Sequence, residues 1–105
     1  MNQEQELLEV LQLHLDLERP EVVSKDAILK ALEWRISQLL QQNSSTFFQL
    51  MYRLDVSERK LIRALADREN GVKNVALLVF ERQIQKIHSR RRFPPASSED
   101  EELSW

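Results

Sequence analysis

Histidine and cysteine, which often carry acid–base and nucleophilic chemistry in enzymes, are scarce in this chain. It contains two histidines, His14 and His88, and no cysteine. His14 falls on the apolar side of a leucine-rich segment, where it is either a buried acid–base or pH-sensing group or a half-buried histidine at a helix edge. His88 lies near a predicted helix end, where a cation complements the helix dipole. Neither has a neighbouring cluster of carboxylates or a cysteine, so we predict no catalytic residue, no metal site and no cofactor.

Two clusters of basic residues carry a charge suited to phosphate groups or to acidic protein surfaces. The central basic cluster consists of Arg59, Lys60 and Arg63, which face outward from a predicted helix. The C-terminal basic cluster consists of Arg90, Arg91 and Arg92. This second cluster either binds an anionic ligand, is solvated, or pairs with the acidic residues 99–102 of the same chain. The sequence does not decide whether the tail folds back in this way.

Trp34 is the strongest candidate for direct contact with another protein. On a helical wheel it points away from the apolar stripe of its own helix, beside Ala27 and Ala31, which leaves a shallow apolar shelf. Tryptophan is enriched at the binding hot spots of protein interfaces. The shelf is either a partner or self-association surface, or it is covered by another helix of the same molecule. Leu77 and Leu78 lie off the main stripe of the last helix, and we expect them to contribute to a dimer contact.

These residues must be positioned by helices, because the apolar residues between Glu6 and Ile87 recur at three- and four-residue spacing. The pattern predicts four or five helices, the first at about residues 2–17 and the last at about 72–91. Residues 11–17 also alternate strictly between apolar and polar, so helix and strand are both open there. In the fourth segment, the pattern predicts that Ile62 faces the core.

Polar residues between the segments predict where helices begin and end. Ser24 and Ser57 are predicted N-caps, because a serine hydroxyl can accept a hydrogen bond from a free amide of the first turn. Ser44 or Ser45 is predicted to cap the third helix. Gly71 is predicted to close the fourth helix in the left-handed conformation, which glycine adopts without steric cost.

Length and composition favour one globular domain. The chain has 105 residues, of which 42% are hydrophobic and 30% charged, as in ordinary globular proteins. We predict a compact all-α bundle over residues 1–92 and a disordered acidic tail over residues 93–105. The acidic N-terminal sequence does not resemble a secretory signal, and no run approaches the ~20 apolar residues of a membrane span. The expected location is therefore cytoplasmic.

The sequence FFQLMYRLDVSERKLIRAL at residues 47–65 resembles the bihelical core of helix-turn-helix DNA-binding domains. In that family an apolar residue ends the first helix, a short turn and a Val-Ser pair follow, and a second apolar stripe ends in Ala-Leu. The matching residues are Leu54, Asp55, Val56, Ser57, Leu61, Ala64 and Leu65. The resemblance covers about nineteen residues.

This resemblance implies that the helix at about residues 58–68 enters the major groove and directs the central basic cluster toward DNA. The chain departs from the family at three places. Asp55 stands where glycine is usual, although aspartate tolerates the left-handed conformation. Met51 stands where a small residue is usual, and Asp67 lies on the face that would approach phosphates.

The sequence YRLDVSE at residues 52–58 is also similar to small uncharacterised helical proteins of Bacteroidota-type bacteria. That resemblance implies a bacterial, cytoplasmic protein without an assigned activity. We therefore predict a non-catalytic protein–protein interaction or adaptor module that binds an unknown protein partner or a second copy of itself. The alternative is a helix-turn-helix-like DNA-binding regulator. Neither a membrane nor a small-molecule substrate is expected as a partner, and the oligomeric state is left open.

Overall fold

Residues 2–92 are described by a computed structural model, and they fold into five α-helices without a strand. The helices are α1 (Gln3–Leu15), α2 (Lys25–Gln42), α3 (Ser44–Arg53), α4 (Glu58–Ala66) and α5 (Gly71–Arg92). The predicted all-α bundle is thereby confirmed, and the strand alternative for residues 11–17 is wrong. The predicted tail, residues 93–105, lies outside the described residues. No helix in the described range is long and apolar enough to cross a bilayer.

The longest helix, α5, organises the bundle. It packs against α1, α2 and α4, while α2 also packs against α3. Every helix contributes a fully buried apolar side chain to one core: Leu11 from α1, Leu32 from α2, Phe47 from α3, Leu61 from α4 and Val79 from α5. Because α5 touches three other helices, its position fixes the surfaces that the shorter helices expose.

Short polar side chains begin four of the helices. Ser24 Oγ accepts a hydrogen bond from the Ala27 amide at 3.2 Å, and Ser57 Oγ accepts one from the Lys60 amide at 3.3 Å, which confirms both predicted caps. Asn2 caps α1 in the same way. The predicted serine cap of α3 is wrong, because Asn43 Oδ1 accepts from the Thr46 amide at 3.1 Å. Asn43 has extended backbone, whereas the two serines after it already belong to α3.

The connection between α4 and α5 differs from its prediction at Gly71. No glycine in residues 2–92 has a positive φ, so Gly71 does not close α4 in the left-handed conformation. The turn is made instead by Asp67, whose Oδ1 accepts hydrogen bonds from the Glu69 and Asn70 amides, each at 3.1 Å. Gly71 is the first residue of α5. A Cβ added there would lie 3.4 Å from the Ala64 carbonyl oxygen, so the glycine lets α5 begin close against α4.

The first helix ends earlier than predicted, because Asp16 takes a left-handed conformation with φ of 57°. Arg35 of α2 donates from Nε to the Leu15 carbonyl oxygen at 2.7 Å, which satisfies one of the free carbonyls at that end. Two predicted placements are also corrected. His14 is exposed, which excludes a buried acid–base role. Ile62 is 58% exposed, because α4 turns the stripe containing Leu61 toward the core and Ile62 lies about 100° away.

The two ends of the described chain are joined by polar contacts between α1 and α5. Arg91 forms an ion pair with Glu6 at 2.7 Å. Gln3 Oε1 accepts a hydrogen bond at 2.7 Å from His88 Nε2, in the tautomer that carries its hydrogen on Nε2. These contacts place the start of α1 beside the end of α5.

Candidate functional site

A groove of about 1090 Å³ opens between α3, the corner after it, α4 and the middle of α5. We call it the α3–α5 groove. Its apolar lining consists of Phe48, Tyr52, Val56, Leu61 and Leu78. These side chains come from three helices and the corner between α3 and α4, so the groove exists only when α3, α4 and α5 are packed together.

Two aromatic residues form the α3 wall of the groove. Phe48 and Tyr52 are four residues apart and therefore lie one turn above the other on the same face of the helix. Tyr52 is 82% exposed. Phe48 packs edge-on against the buried ring of Phe47, with ring centroids 5.0 Å apart, so its ring is held by the core. The wall thus presents aromatic surface to solvent in a defined orientation.

The corner between α3 and α4 is held in place from α5. Asp55 has φ of 66°, and its carbonyl oxygen accepts a hydrogen bond from Arg82 Nε at 3.0 Å. Arg82 also forms an ion pair with the Asp55 carboxylate at 2.8 Å. Next to it, the buried Gln83 donates from Nε2 to the Leu54 carbonyl oxygen at 2.8 Å. The hydrogen bond from Arg82, aided by the positive charges of Arg82 and Lys86, holds the pKa of Asp55 below its ordinary value.

The rim of the α3–α5 groove carries charges of both signs. Its cations include Arg53 and Lys60, and its acids include Glu58 and Glu81. The ion pairs within residues 2–92 are Arg82 with Asp55 and Arg91 with Glu6, so none of these four rim charges is neutralised by a described residue. They are available to a molecule that enters the groove.

A smaller groove of about 370 Å³ continues this surface between α4 and α5. It shares Lys60, Leu78 and Glu81 with the α3–α5 groove, and its other lining residues include Arg63 and Leu77. The structure therefore brings two predicted partner residues, Leu77 and Leu78, beside two cations of the central basic cluster. From sequence alone, these residues were predicted to belong to separate sites.

The Trp34 shelf is a second, separate surface. Trp34 is 62% exposed, and Ala27 and Ala31 beside it are half-buried. The interpretation that another helix of the bundle covers Trp34 is wrong for the described residues. Trp34 lines neither groove, whereas Leu77 and Leu78 lie against α4. The five predicted partner residues thus divide into two groups.

The two basic clusters also lie on different parts of the molecule. All three residues of the central basic cluster are exposed on α4. The smaller groove between α4 and α5 extends along α5 as far as Glu81. Arg90 is nine residues farther along α5, which is about 14 Å along the helix axis. Arg91 is paired with Glu6. The side chain of Arg92 lies outside the described part of the chain.

Within residues 2–92, no group of three or more histidine, aspartate or glutamate side chains is arranged to hold a metal ion. No site was predicted at Phe48 and Tyr52, although their four-residue spacing is a recognisable signal. Their opposite wall could not be recognised in the same way, because Leu78 is remote in sequence.

No protein-family model, curated protein or solved structure matches this chain. The resemblances to helix-turn-helix domains and to Bacteroidota-type helical proteins therefore stay predictions. A functional interpretation has to start from the geometry of the grooves and of the Trp34 shelf.

Proposed function

We propose that this protein is a non-catalytic protein–protein interaction module whose α3–α5 groove receives an apolar segment of its partner. The proposal is supported chiefly by one observation, the exposed aromatic wall of Phe48 and Tyr52 facing Leu78 across a concave surface. Aromatic side chains in concave, partly apolar surfaces are the usual anchors of protein recognition. The expected setting is the cytoplasm of a bacterium, as the sequence favours.

The size and lining of the groove favour a polypeptide over a small molecule. Small-molecule sites usually occupy about 300–1,000 Å³ and bury most of the ligand behind a few convergent polar groups. This groove, at about 1090 Å³, is slightly larger than that range, and its polar residues are spread along the rim. A helix or extended segment with apolar residues on one side would match such a lining.

The contacts that hold the walls of the groove in place also favour binding. Arg82 and Gln83 fix the corner that joins α3 to α4, and Phe47 fixes the Phe48 ring. A wall that is already ordered loses less conformational entropy when a partner binds. We therefore assign binding to the groove in the form described here.

A selection of displayed peptides against the immobilised full chain tests this function. The selected peptides should shift the amide NMR signals of Phe48, Tyr52 and Leu78. Tyr52→Ala should weaken their binding by about 30-fold, the effect of losing a hot-spot residue worth about 2 kcal/mol. Leu13→Ala is the matched control, because Leu13 is 80% exposed but lies on α1 outside the groove lining. Equal affinity of the Tyr52→Ala and unaltered proteins would refute the groove assignment.

We also propose that the Trp34 shelf makes a separate contact, either with the partner or with a second copy of the chain. An exposed tryptophan above two half-buried alanines offers a broad apolar surface with little steric obstruction. Trp34→Ala should therefore lower the oligomeric mass in sedimentation equilibrium or weaken capture of the partner. The contact is refuted when both quantities stay unchanged.

A DNA-binding regulator is the second candidate, and the corner between α3 and α4 favours it. Asp55 has the left-handed backbone that the helix-turn-helix resemblance requires of its turn, and α4 exposes the central basic cluster. In fluorescence anisotropy with mixed-sequence duplex DNA, binding by this cluster should weaken steeply with salt. Replacing all three cations by glutamine should reduce the salt dependence, whereas Arg68→Gln should change it less. Absence of binding at low salt would exclude duplex DNA as a ligand.

A further inference from the structure

We infer that the α3–α5 groove is occupied by the chain's own residues 99–105, which combine four acidic residues with the sequence Leu-Ser-Trp. This inference rests on the proposed function, because it requires the groove to bind an apolar anchor. It adds the identity of an occupant and a means of regulating access.

The chemistry of this segment matches the groove. Leu103 and Trp105 supply two large apolar side chains, and the groove offers an aromatic wall facing leucine side chains. The acidic residues directly before them can pair with cations of the rim, which also carries the acids Glu58 and Glu81. Arg53 and Lys60 on the rim have no ion-pair partner among the described residues, and Arg63 continues the positive charge into the smaller groove. Burial of the apolar anchors would supply most of the affinity, and the charges would set the direction of the segment.

The chain length permits this contact. Gln85 lines the groove and precedes Arg92 by seven residues, about 10 Å along α5. Leu78 lies about 21 Å from Arg92 by the same measure. The thirteen residues after Arg92 can span up to about 43 Å when extended.

Occupation by the chain itself would reduce access for any other partner. A ligand tethered by a short linker acts at an effective concentration in the millimolar range, so even a weak intramolecular contact competes with an external segment. A partner would then have to carry stronger anchors, or the tail would have to be withdrawn. Residues 99–105 thus act as an internal competitor for the groove.

Site-directed spin labelling of the full chain tests this inference, and the absence of native cysteine makes the label specific. A nitroxide attached to Ser104→Cys should broaden the amide NMR signals of Phe48, Tyr52 and Leu78. A label at Ser98→Cys provides a second position, in case the first label disturbs the neighbouring tryptophan. Replacing Trp105 by alanine in the Ser98→Cys protein should remove the broadening.

Three results would overturn the inference. The broadening could be confined to the end of α5, it could be spread evenly over the surface, or it could be absent with both labels. The tail in the groove could belong to the same molecule or to a second copy. Mixing ¹⁵N-labelled protein that lacks the nitroxide with unlabelled protein that carries it distinguishes these two cases. Broadening of the ¹⁵N signals in the mixture to the same extent would assign the occupant to a second copy and refute the intramolecular contact.

Failure of the tail contact can be distinguished from failure of the proposed binding function. Peptides selected by display should bind the Trp105→Ala chain at least several-fold more tightly than the unaltered chain, because the competitor is removed. Peptides that bind the groove with equal affinity in both proteins would leave the interaction function intact and refute the internal competitor. Peptides that never map to the groove would refute both.

Discussion

Single polar side chains determine the shape of the corner beside the groove. Gln83 and Leu54 are 29 residues apart in sequence, yet they meet in a buried hydrogen bond. The sequence predicted that Ser57 begins α4, because an N-cap acts within three residues of itself. It did not predict the partner of Gln83, since that contact depends on how α5 crosses the corner.

Replacing Gln83 by leucine should lower the free energy of unfolding by about 1–3 kcal/mol, because it leaves the buried Leu54 carbonyl oxygen without a donor. The measurement is urea denaturation followed by circular dichroism. Gln41→Leu is the matched control, since Gln41 is exposed on α2 and should change stability by less than about 0.5 kcal/mol. Equal effects of the two substitutions would show that the hydrogen bond does not stabilise the corner.

Asp55 should give stability a specific dependence on pH. Its pKa is lowered in the folded protein, chiefly by the hydrogen bond from Arg82, so its stabilising effect is fully present above the pKa of the unfolded chain. That effect is lost as the pH falls through the lower, folded pKa, which places the loss below about pH 4. Asp55→Asn should therefore destabilise the protein at pH 7 by less than about 1 kcal/mol, because the pair is exposed.

The difference in stability between the Asp55→Asn protein and the unaltered protein should disappear on acidification from pH 5 to pH 2. Urea denaturation midpoints at each pH measure this difference. Asp16→Asn is a close control, because Asp16 is also exposed and also has a positive φ, but it has no ion-pair partner among the described residues. A pH-independent effect of Asp55→Asn would contradict the assigned role of Arg82.

At the scale of helices, the sequence predicted the type of secondary structure better than the residues at which each helix begins and ends. Apolar spacing predicted four or five helices, and the structure has five in the described residues, because each one buries a stripe against the same core. The boundaries at Asp16 and Gly71 differed from their predictions, since left-handed aspartate and close helix contact leave weaker signals than serine caps. Neither groove could be derived in this way, because each depends on the relative placement of helices distant in sequence.

Asn43 joins α2 to α3, and its substitution should lower stability more than substitution of any other residue in that connection. Its side chain caps α3, and its amide donates to the Leu39 carbonyl oxygen at the end of α2. Asn43→Ala should lower stability by about 1 kcal/mol, the usual effect of removing an N-cap side chain. Ser45→Ala should change stability little, because Ser45 is exposed inside the first turn. A larger effect at Ser45 in thermal unfolding would contradict the assignment of the cap.

At the scale of the whole molecule, five short helices depend on one shared core. The fully buried Leu32 should therefore affect the stability of the entire fold, not only of α2. Leu32→Ala should lower the free energy of unfolding by about 2–5 kcal/mol, with a single cooperative transition. Leu13→Ala makes the same chemical change at an exposed position and should lower it by less than about 0.5 kcal/mol. Denaturant titrations of both proteins measure the contrast, and similar midpoints would refute the placement of Leu32 in the core.

The contacts of Arg91 with Glu6 and of His88 with Gln3 have a consequence for the order of the helices along the chain. Because they bring the start of α1 beside the end of α5, a short peptide could link these two ends directly. New ends could then be opened between α1 and α2, where Glu18, Arg19 and Glu21 are exposed. Such a circular permutant, running α2-α3-α4-α5-α1, should retain the native far-ultraviolet circular dichroism spectrum. The fold would thus tolerate new positions of the N- and C-termini, because its architecture depends on how the helices pack.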